Sequence, residues 1–155
     1  MKIEYLENDE QGLDSISSLW EQLNKQHETR SQHFREYYGE RTWNLRKADL
    51  IKKTESGALH VDLAKDLETG KTVGYCVSTL SKDGQGEIDS IYVELDYRKW
   101  GIGDNLMQRA LHWLDNRRAK TKILVVASGN EEVLAFYSRY AFYPKHITLE
   151  RVESN

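Results

Sequence analysis

The sequence contains few of the residues that define several classes of protein. Its 155 residues include one cysteine, Cys76, and one proline, Pro144. A single cysteine cannot form an internal disulfide framework, and Cys76 lies in an apolar strand-like segment, which predicts a small core residue. The five histidines lack the His-Glu-x-x-His spacing and a set of cysteine partners, so the sequence predicts no metal site.

A strong charge of either sign is also missing. The formal net charge is −3, whereas general nucleic-acid binders are usually strongly basic, so we expect no nucleic-acid partner. No apolar run approaches the length of a membrane-spanning helix, and the first ten residues are too acidic for a signal peptide. We therefore expect a cytoplasmic protein without a membrane partner. The length suggests a single domain over residues 1–155.

Hydrophobic periodicity predicts a mixed order of helices and strands. The order is strand, two helices, three strands, helix, strand, helix and a closing strand. The predicted ranges, in that order, are 2–6, 12–27, 42–53, 58–64, 73–80, 87–93, 102–114, 122–127, 130–141 and 143–152.

The segment 87–114 holds the most informative pattern in the chain. A β-forming stretch, 87–93, precedes a loop with Gly101 and Gly103, and an amphipathic helix follows. Glycine adopts backbone angles that a Cβ would forbid, so such a loop can turn successive N–H groups inward and form an anion-binding nest. The start of the helix adds unpaired N–H groups. Residues 98–122 also contain seven basic and two acidic side chains. The pattern predicts a phosphate-binding loop.

Two familiar phosphate-binding motifs do not fit this loop. The dinucleotide fingerprint needs a further glycine three residues after Gly103, where Leu106 stands, and the P-loop needs a Gly-Lys-Ser/Thr run, which is absent. A glycine pair before a helix is also often only a tight turn. The loop by itself therefore does not decide the function.

A third pattern fits, and it has a second part further along the chain. The loop resembles the acetyl-CoA signature (Q/R-x-x-G-x-G/A) of the GNAT acyltransferases in the run Arg98-x-x-Gly101-x-Gly103. A later segment resembles that family's second signature in the run Asn130-x-x-x-x-Ala135-Phe136-Tyr137-x-x-x-Ala141-Phe142. The close match covers about residues 87–144. One departure is Ala141, where glycine is usual, and alanine is strained there if the turn needs a positive φ.

The resemblance implies an α/β (α+β) fold with a mixed, largely antiparallel central sheet flanked by helices. In that fold the two strands beside the cofactor separate, and the pantetheine arm runs between them. The resemblance also implies acetyl-CoA as cosubstrate, no metal, and transfer of the acetyl group to a primary amine of a small molecule or peptide by direct attack in a ternary complex. A non-catalytic acetyl-CoA-binding sensor or partner module stays open as the alternative, and so does a homodimer.

By the same resemblance, the loop amides would hold the pyrophosphate, and the backbone of the preceding strand would pair with the pantetheine amides. One such N–H would face the acetyl oxygen, and a donor preset for an oxyanion is worth about 3 kcal/mol. Asn130 would contact the cofactor's arm, unless it only caps a helix. The implied cofactor-binding positions are Ile91, Tyr92, Val93, Arg98, Lys99, Trp100, Gly101, Ile102, Gly103, Asp104, Asn130 and Tyr137.

Two residues are predicted to be catalytic. An alkylammonium has a pKa of about 10.4, so the amine must lose a proton before it attacks. Glu87 stands where some family members carry their general base, and Asp89 faces the same side if the strand is regular. Tyr137 matches the tyrosine that often protonates the departing thiolate. The alternatives are a solvated carboxylate at a hairpin end for Glu87 and a core aromatic for Tyr137.

The acceptor site would be built largely by residues 27–45. This segment is rich in acidic and aromatic side chains, which could suit a cationic amine or could form an ordinary amphipathic surface. The residues concerned are His27, His33, Phe34, Glu36, Tyr37, Tyr38, Glu40 and Trp43.

Overall fold

A computed structural model of the chain describes residues 1–153 and contains a five-stranded sheet. The strands lie side by side in chain order; β1 to β4 are antiparallel, and β4 and β5 are parallel. The predicted mixed, largely antiparallel sheet is thus confirmed. The strands are β1 (Ile3–Asn8), β2 (Ala58–Asp66), β3 (Lys71–Leu80), β4 (Gln85–Val93) and β5 (Thr121–Leu124).

Helices cover both faces of the sheet. The predicted helix 12–27 is a 3-10 turn, Glu10–Ile16, that leads into α1, and the predicted helix 130–141 shortens to a 3-10 turn, Glu131–Val133, followed by α5. The helices are α1 (Ser17–Arg30), α2 (Arg35–Glu40), α3 (Trp43–Lys53), α4 (Ile102–Asn116) and α5 (Leu134–Ser138). Within the described residues, none of these helices is long and apolar enough to span a lipid bilayer.

Two apolar clusters hold the helices to the sheet, one on each face. On one face α1 and α3 pack against β2 and β3, with Leu13, Trp20, Leu50 and Tyr75 buried between them. On the other face the apolar stripe of α4 packs on the sheet, and Cys76 is fully buried there, as its sequence context predicts. The stripe consists of Ile102, Leu106, Met107, Ala110 and Leu114, which is helical spacing with one buried side.

The predicted closing strand, 143–152, is wrong for this structure. Residues 143–153 have no regular secondary structure, and the side chains of Ile147 and Leu149 are 82% and 90% exposed. A strand requires a neighbouring strand to pair its backbone N–H and C=O groups, and within residues 1–153 this segment has none. The strand predicted over 122–127 is also shorter and ends at Leu124.

Candidate active site

The sheet opens between β4 and β5, and a cavity lies beside the opening. The two strands pair only from Gln85–Thr121 to Ile88–Leu124, which leaves the facing edge of β4 beyond Ile88 without a strand partner in the described chain. The cavity beside this edge has a volume of about 170 Å³. It is lined by α1, α2, the middle of β4, the residues after β5 and Tyr137. The separation of the two strands that the family resemblance implies is thus present.

A β-bulge in β4 sets which side chains enter the cavity. Val77 pairs with Ser90 but the next residue, Ser78, pairs with Ile88, so Asp89 is an extra residue in β4. Ile88 and Ile91 consequently both pack on the α4 side although three positions separate them. The bulge places both Asp89 and Ser90 among the residues that line the cavity. The strand is thus irregular at Asp89, but Asp89 still faces the same side as Glu87, because both carboxylates contact Lys53.

Lys53 joins the two predicted carboxylates. Its Nζ lies 2.9 Å from Oε1 of Glu87 and 2.5 Å from Oδ1 of Asp89. The other oxygen of Asp89 accepts a hydrogen bond from Thr79 at 2.6 Å. Burial raises the pKa of Asp89, and its bonds to Lys53 and Thr79 offset part of that rise. Asp89 lines the cavity and Glu87 does not, so the catalytic role of Glu87 stays a prediction.

The predicted phosphate-binding loop has backbone groups free to bind a ligand. Lys99 and Gly101 both adopt left-handed φ values, 79° and 75°, which turn the chain sharply before α4. The first backbone bond of the helix runs from the N–H of Asn105 to the carbonyl of Gly101 at 3.1 Å. Within residues 1–153, no hydrogen bond uses the amides of 99–104. Unpaired amides at a helix start are a site for an anion.

Two side chains of this loop do not project into it. Arg98 turns back along β4, where its Nε donates to the carbonyl of Val93 at 2.9 Å and its guanidinium lies over the ring of Tyr92. Trp100 points outward and is 65% exposed. The Arg98 side chain therefore binds the loop to the end of β4. The backbone of the loop is left to contact a ligand.

Asp104 connects the two predicted signatures in space. Its carboxylate accepts hydrogen bonds from Arg139 and Tyr140, both of which follow α5. These donors, Arg139 first, hold the pKa of Asp104 below its ordinary range. The first turn of α4 is thereby tied to the segment that carries Tyr137.

Tyr137 lies on α5 and lines the cavity. Burial raises the pKa of its phenol to about 12, so the group keeps its proton at neutral pH and can donate it. The helix ends in a Schellman motif, in which the N–H of Phe142 bonds the carbonyl of Tyr137 at 3.1 Å and that of Ala141 bonds Ser138 at 3.0 Å. Ala141 has a φ of 64°, so the expected strain at this alanine is present.

Asn130 also lines the cavity, and it does not cap the following helix. Its Oδ1 accepts hydrogen bonds from Gln26 Nε2 at 3.2 Å and Arg30 Nη1 at 3.0 Å, both on α1. Of the two alternatives for this residue, capping is wrong, and contact with a cofactor stays a prediction.

The α1–α2 wall of the cavity differs from the expected acidic surface. It contains His27, Tyr37, Tyr38 and Arg41, and α3 adds Arg46, whereas Glu36 and Glu40 do not line it. Nδ1 of His27 is buried without a hydrogen-bond partner in the described chain. Burial lowers the pKa of His27, and the charge of Arg30 lowers it further. No sequence motif indicated Arg46, because only the packing of α3 on the sheet brings it to β4.

Comparison with protein-family models identifies the same family as the two sequence signatures. Residues 16–142 match the model described as the acetyltransferase (GNAT) family. An uncharacterised N-acetyltransferase of Methanocaldococcus jannaschii is 29% identical over 104 residues, which are 63% of this chain and 44% of that protein. The chain thus spans less than half the length of that relative.

Solved structures show the same fold. A GCN5-related N-acetyltransferase from Ralstonia eutropha superposes with a TM-score of 0.75 at 15% identity, covering 97% of this chain and 99% of that one. PaiA N-acetyltransferase from Thermoplasma acidophilum, solved in complex with coenzyme A, gives a TM-score of 0.66 at 16% identity, covering 90% and 89%. The family match extends over both signatures, the strand opening and the cavity between them, and the chain belongs to the acetyltransferase (GNAT) family.

Proposed function

We propose that the chain is an acetyl-CoA-dependent N-acetyltransferase whose acceptor is a primary amine of a small molecule or peptide. The observation that carries the proposal is the set of unbonded amides over 99–104, next to the place where β4 and β5 separate. Diphosphate would bind the amides, and the pantetheine arm would lie along the open edge of β4 as an added strand. The acetyl group would then reach the cavity.

The reaction transfers one acetyl group and two protons. The amine nitrogen attacks the thioester carbon, the C–N bond forms and the C–S bond breaks. A backbone N–H on the open edge of β4, at Ile91 or Val93, would stabilise the developing oxyanion. The amine gives its proton to a base, and Tyr137 gives its phenolic proton to the departing thiolate.

Three groups are candidates for the base. Glu87 is the predicted one, and Asp89 lies at the cavity with both oxygens already bonded to Lys53 and Thr79. His27 has a buried Nδ1 without a partner in the described residues, and burial lowers its pKa. A neutral imidazole at the cavity wall can accept a proton at pH 7. We therefore favour His27 over the two carboxylates.

The charges of the wall favour a particular class of acceptor. Arg41 is paired with Asp49 at 2.9 Å, whereas Arg46 contacts only the main-chain carbonyl of Asp89, at 3.0 Å, among the described polar groups. The charge of Asp89 is offset by Lys53. Arg46 is thus free to bind an anion, so an amine that also carries a carboxylate is favoured over a polyamine.

A two-part experiment tests the function. Thermal unfolding with acetyl-CoA at one hundred times its Kd should show a gain of about 2.7 kcal/mol, larger than with ATP or NAD. A thiol-release assay should then show turnover with amino acids and less with the matched amino-acid amides. Stabilisation without turnover on any amine would favour the non-catalytic module, and a better response to ATP or NAD would overturn the proposal.

A further inference from the structure

A polar cluster lies on the α4 face of the sheet, where β1 and β2 pair. His60 and Asp62 are two positions apart on β2, so their side chains lie on the same face. Glu7, on the edge strand β1, is the register partner of Asp62. One nitrogen or oxygen atom from each of the three side chains lies within 4.8 Å of the other two. None of the three residues lines the cavity beside β4, so the cluster is separate from the site proposed for acetyl transfer.

Two of these side chains are buried and turn polar atoms toward each other. The side chains of His60 and Asp62 are 8% and 0% exposed, and Nε2 of His60 lies 3.1 Å from Oδ2 of Asp62. Within residues 1–153, neither atom has a hydrogen-bond partner, although buried polar atoms are almost always paired. In the neutral imidazole with its proton on Nδ1, Nε2 presents a lone pair, and two facing lone pairs repel each other unless a cation lies between them. The pair therefore points to a cation as its ligand.

The distances in the cluster suit a tetrahedral ion such as zinc. Zinc binds imidazole nitrogen and carboxylate oxygen at about 2.0–2.2 Å, so two of its tetrahedral ligands lie about 3.3–3.5 Å apart. Nε2 of His60 and Oδ2 of Asp62 are close to that separation. Oε1 of Glu7 lies 4.0 Å from the same nitrogen, and the Glu7 side chain is 65% exposed, so it can rotate toward an ion without disturbing the core. The exposed side also gives an ion a path from solvent.

Two residues of α4 hold these ligands in place. Nε of Arg109 donates a hydrogen bond to Oδ1 of Asp62 at 3.2 Å, which leaves Oδ2 for an ion. The indole of Trp113 stacks on the His60 ring, with the ring centroids 4.9 Å apart. Outer contacts of this kind orient the ligands of metal sites. With a neutral imidazole, the two carboxylates and the one guanidinium sum to −1, so a divalent cation is attracted even beside Arg109.

We propose that Glu7, His60 and Asp62 bind one divalent transition-metal ion, for which Zn²⁺ is the best match. Nε2 of His60, Oδ2 of Asp62 and the Glu7 carboxylate are the three protein ligands, and water completes the tetrahedron. An imidazole ligand favours zinc over magnesium or calcium, which prefer oxygen ligands. The ion joins the edge strand β1 to β2 beneath α4, so its role is structural. No sequence spacing indicates the site, because Glu7 and His60 come together only through the register of β1 and β2.

Isothermal titration of the chelator-treated, full-length protein with zinc chloride tests the proposal. We expect one Zn²⁺ per chain. Glu7→Ala and His60→Gln should each weaken binding about 100-fold, since even an outer contact of a metal site is worth about 10–100-fold in affinity. His112→Gln is the matched control, because His112 is exposed on α4 and its loss should leave the affinity unchanged.

Two results would overturn the proposal. If the unmodified protein binds no zinc, a proton on His60 is the cation between the two buried atoms, and the metal site is wrong. If the unmodified protein and both ligand variants bind zinc equally, other surface groups hold the ion. Glu7→Ala keeps the test decisive if His60→Gln does not fold, because Glu7 is exposed on an edge strand. Circular dichroism checks that each variant keeps its helix content.

Discussion

Replacing Gly101 by valine tests whether the loop conformation serves a ligand rather than the fold. Gly101 has a φ of 75°, and a Cβ added there would meet no atom within 4 Å. Gly70, in the turn between β2 and β3, has a φ of 73° and equally open surroundings. Gly70→Val is therefore a matched control for Gly101→Val.

The two variants should lose similar stability and differ in binding. A left-handed conformation costs a non-glycine residue about 1–2 kcal/mol, so each variant should melt roughly 2–8 °C lower, at about 2–4 °C per kcal/mol for a chain of this size. In Gly101→Val the loop must relax, because valine rarely tolerates this φ. The amides of 101–103 would then turn away from the anion, and losing one such bond costs about 1.5–3 kcal/mol.

Isothermal titration with acetyl-CoA measures the difference. The Kd of Gly101→Val should rise about ten-fold or more, whereas Gly70→Val should bind like the unmodified protein. If both variants are destabilised alike and bind acetyl-CoA with the original affinity, the amides of this loop do not hold the diphosphate, and the proposed site is wrong.

Three further predictions concern Tyr137, Ala141 and His27. Tyr137→Phe should lower kcat about 100-fold with an unchanged Kd for acetyl-CoA, and the exposed Tyr143→Phe should not; an unchanged kcat would remove the acid role. Ala141→Gly should raise the free energy of unfolding by about 1 kcal/mol because it relieves the left-handed alanine, whereas Ala135→Gly within α5 should lower it by about 0.5–1 kcal/mol; urea denaturation measures both. Burial lowers the pKa of His27 in the folded state. Below about pH 6.5, the ordinary pKa of histidine, the unfolded chain therefore carries a proton on His27 that the folded chain does not bind. The free energy of unfolding should therefore decrease as the pH is lowered from about 7.5 to 5. The decrease should be smaller in His27→Gln, and in the exposed His33→Gln it should equal that of the unmodified protein. Equal pH dependence in all three proteins would contradict a buried neutral imidazole.

Features that depend on a few neighbouring residues were predictable from the sequence. The loop with Gly101 needs only a left-handed glycine between a strand and a helix, and the stripe of α4 needs only helical spacing. The strain at Ala141 followed from the same local rule. Two separated signatures also sufficed to indicate the family, and with it the mixed, largely antiparallel sheet.

Features that depend on what packs beside a segment were decided by the tertiary structure. The bulge at Asp89 arises from the register between β3 and β4, and no sequence pattern within β4 predicts it. Arg46 and His27 meet at one cavity only because α1 and α3 pack on the same face. Alternation over 143–152 predicts a strand, but a strand forms only where a partner offers backbone hydrogen bonds, and that partner is not part of the same run of sequence.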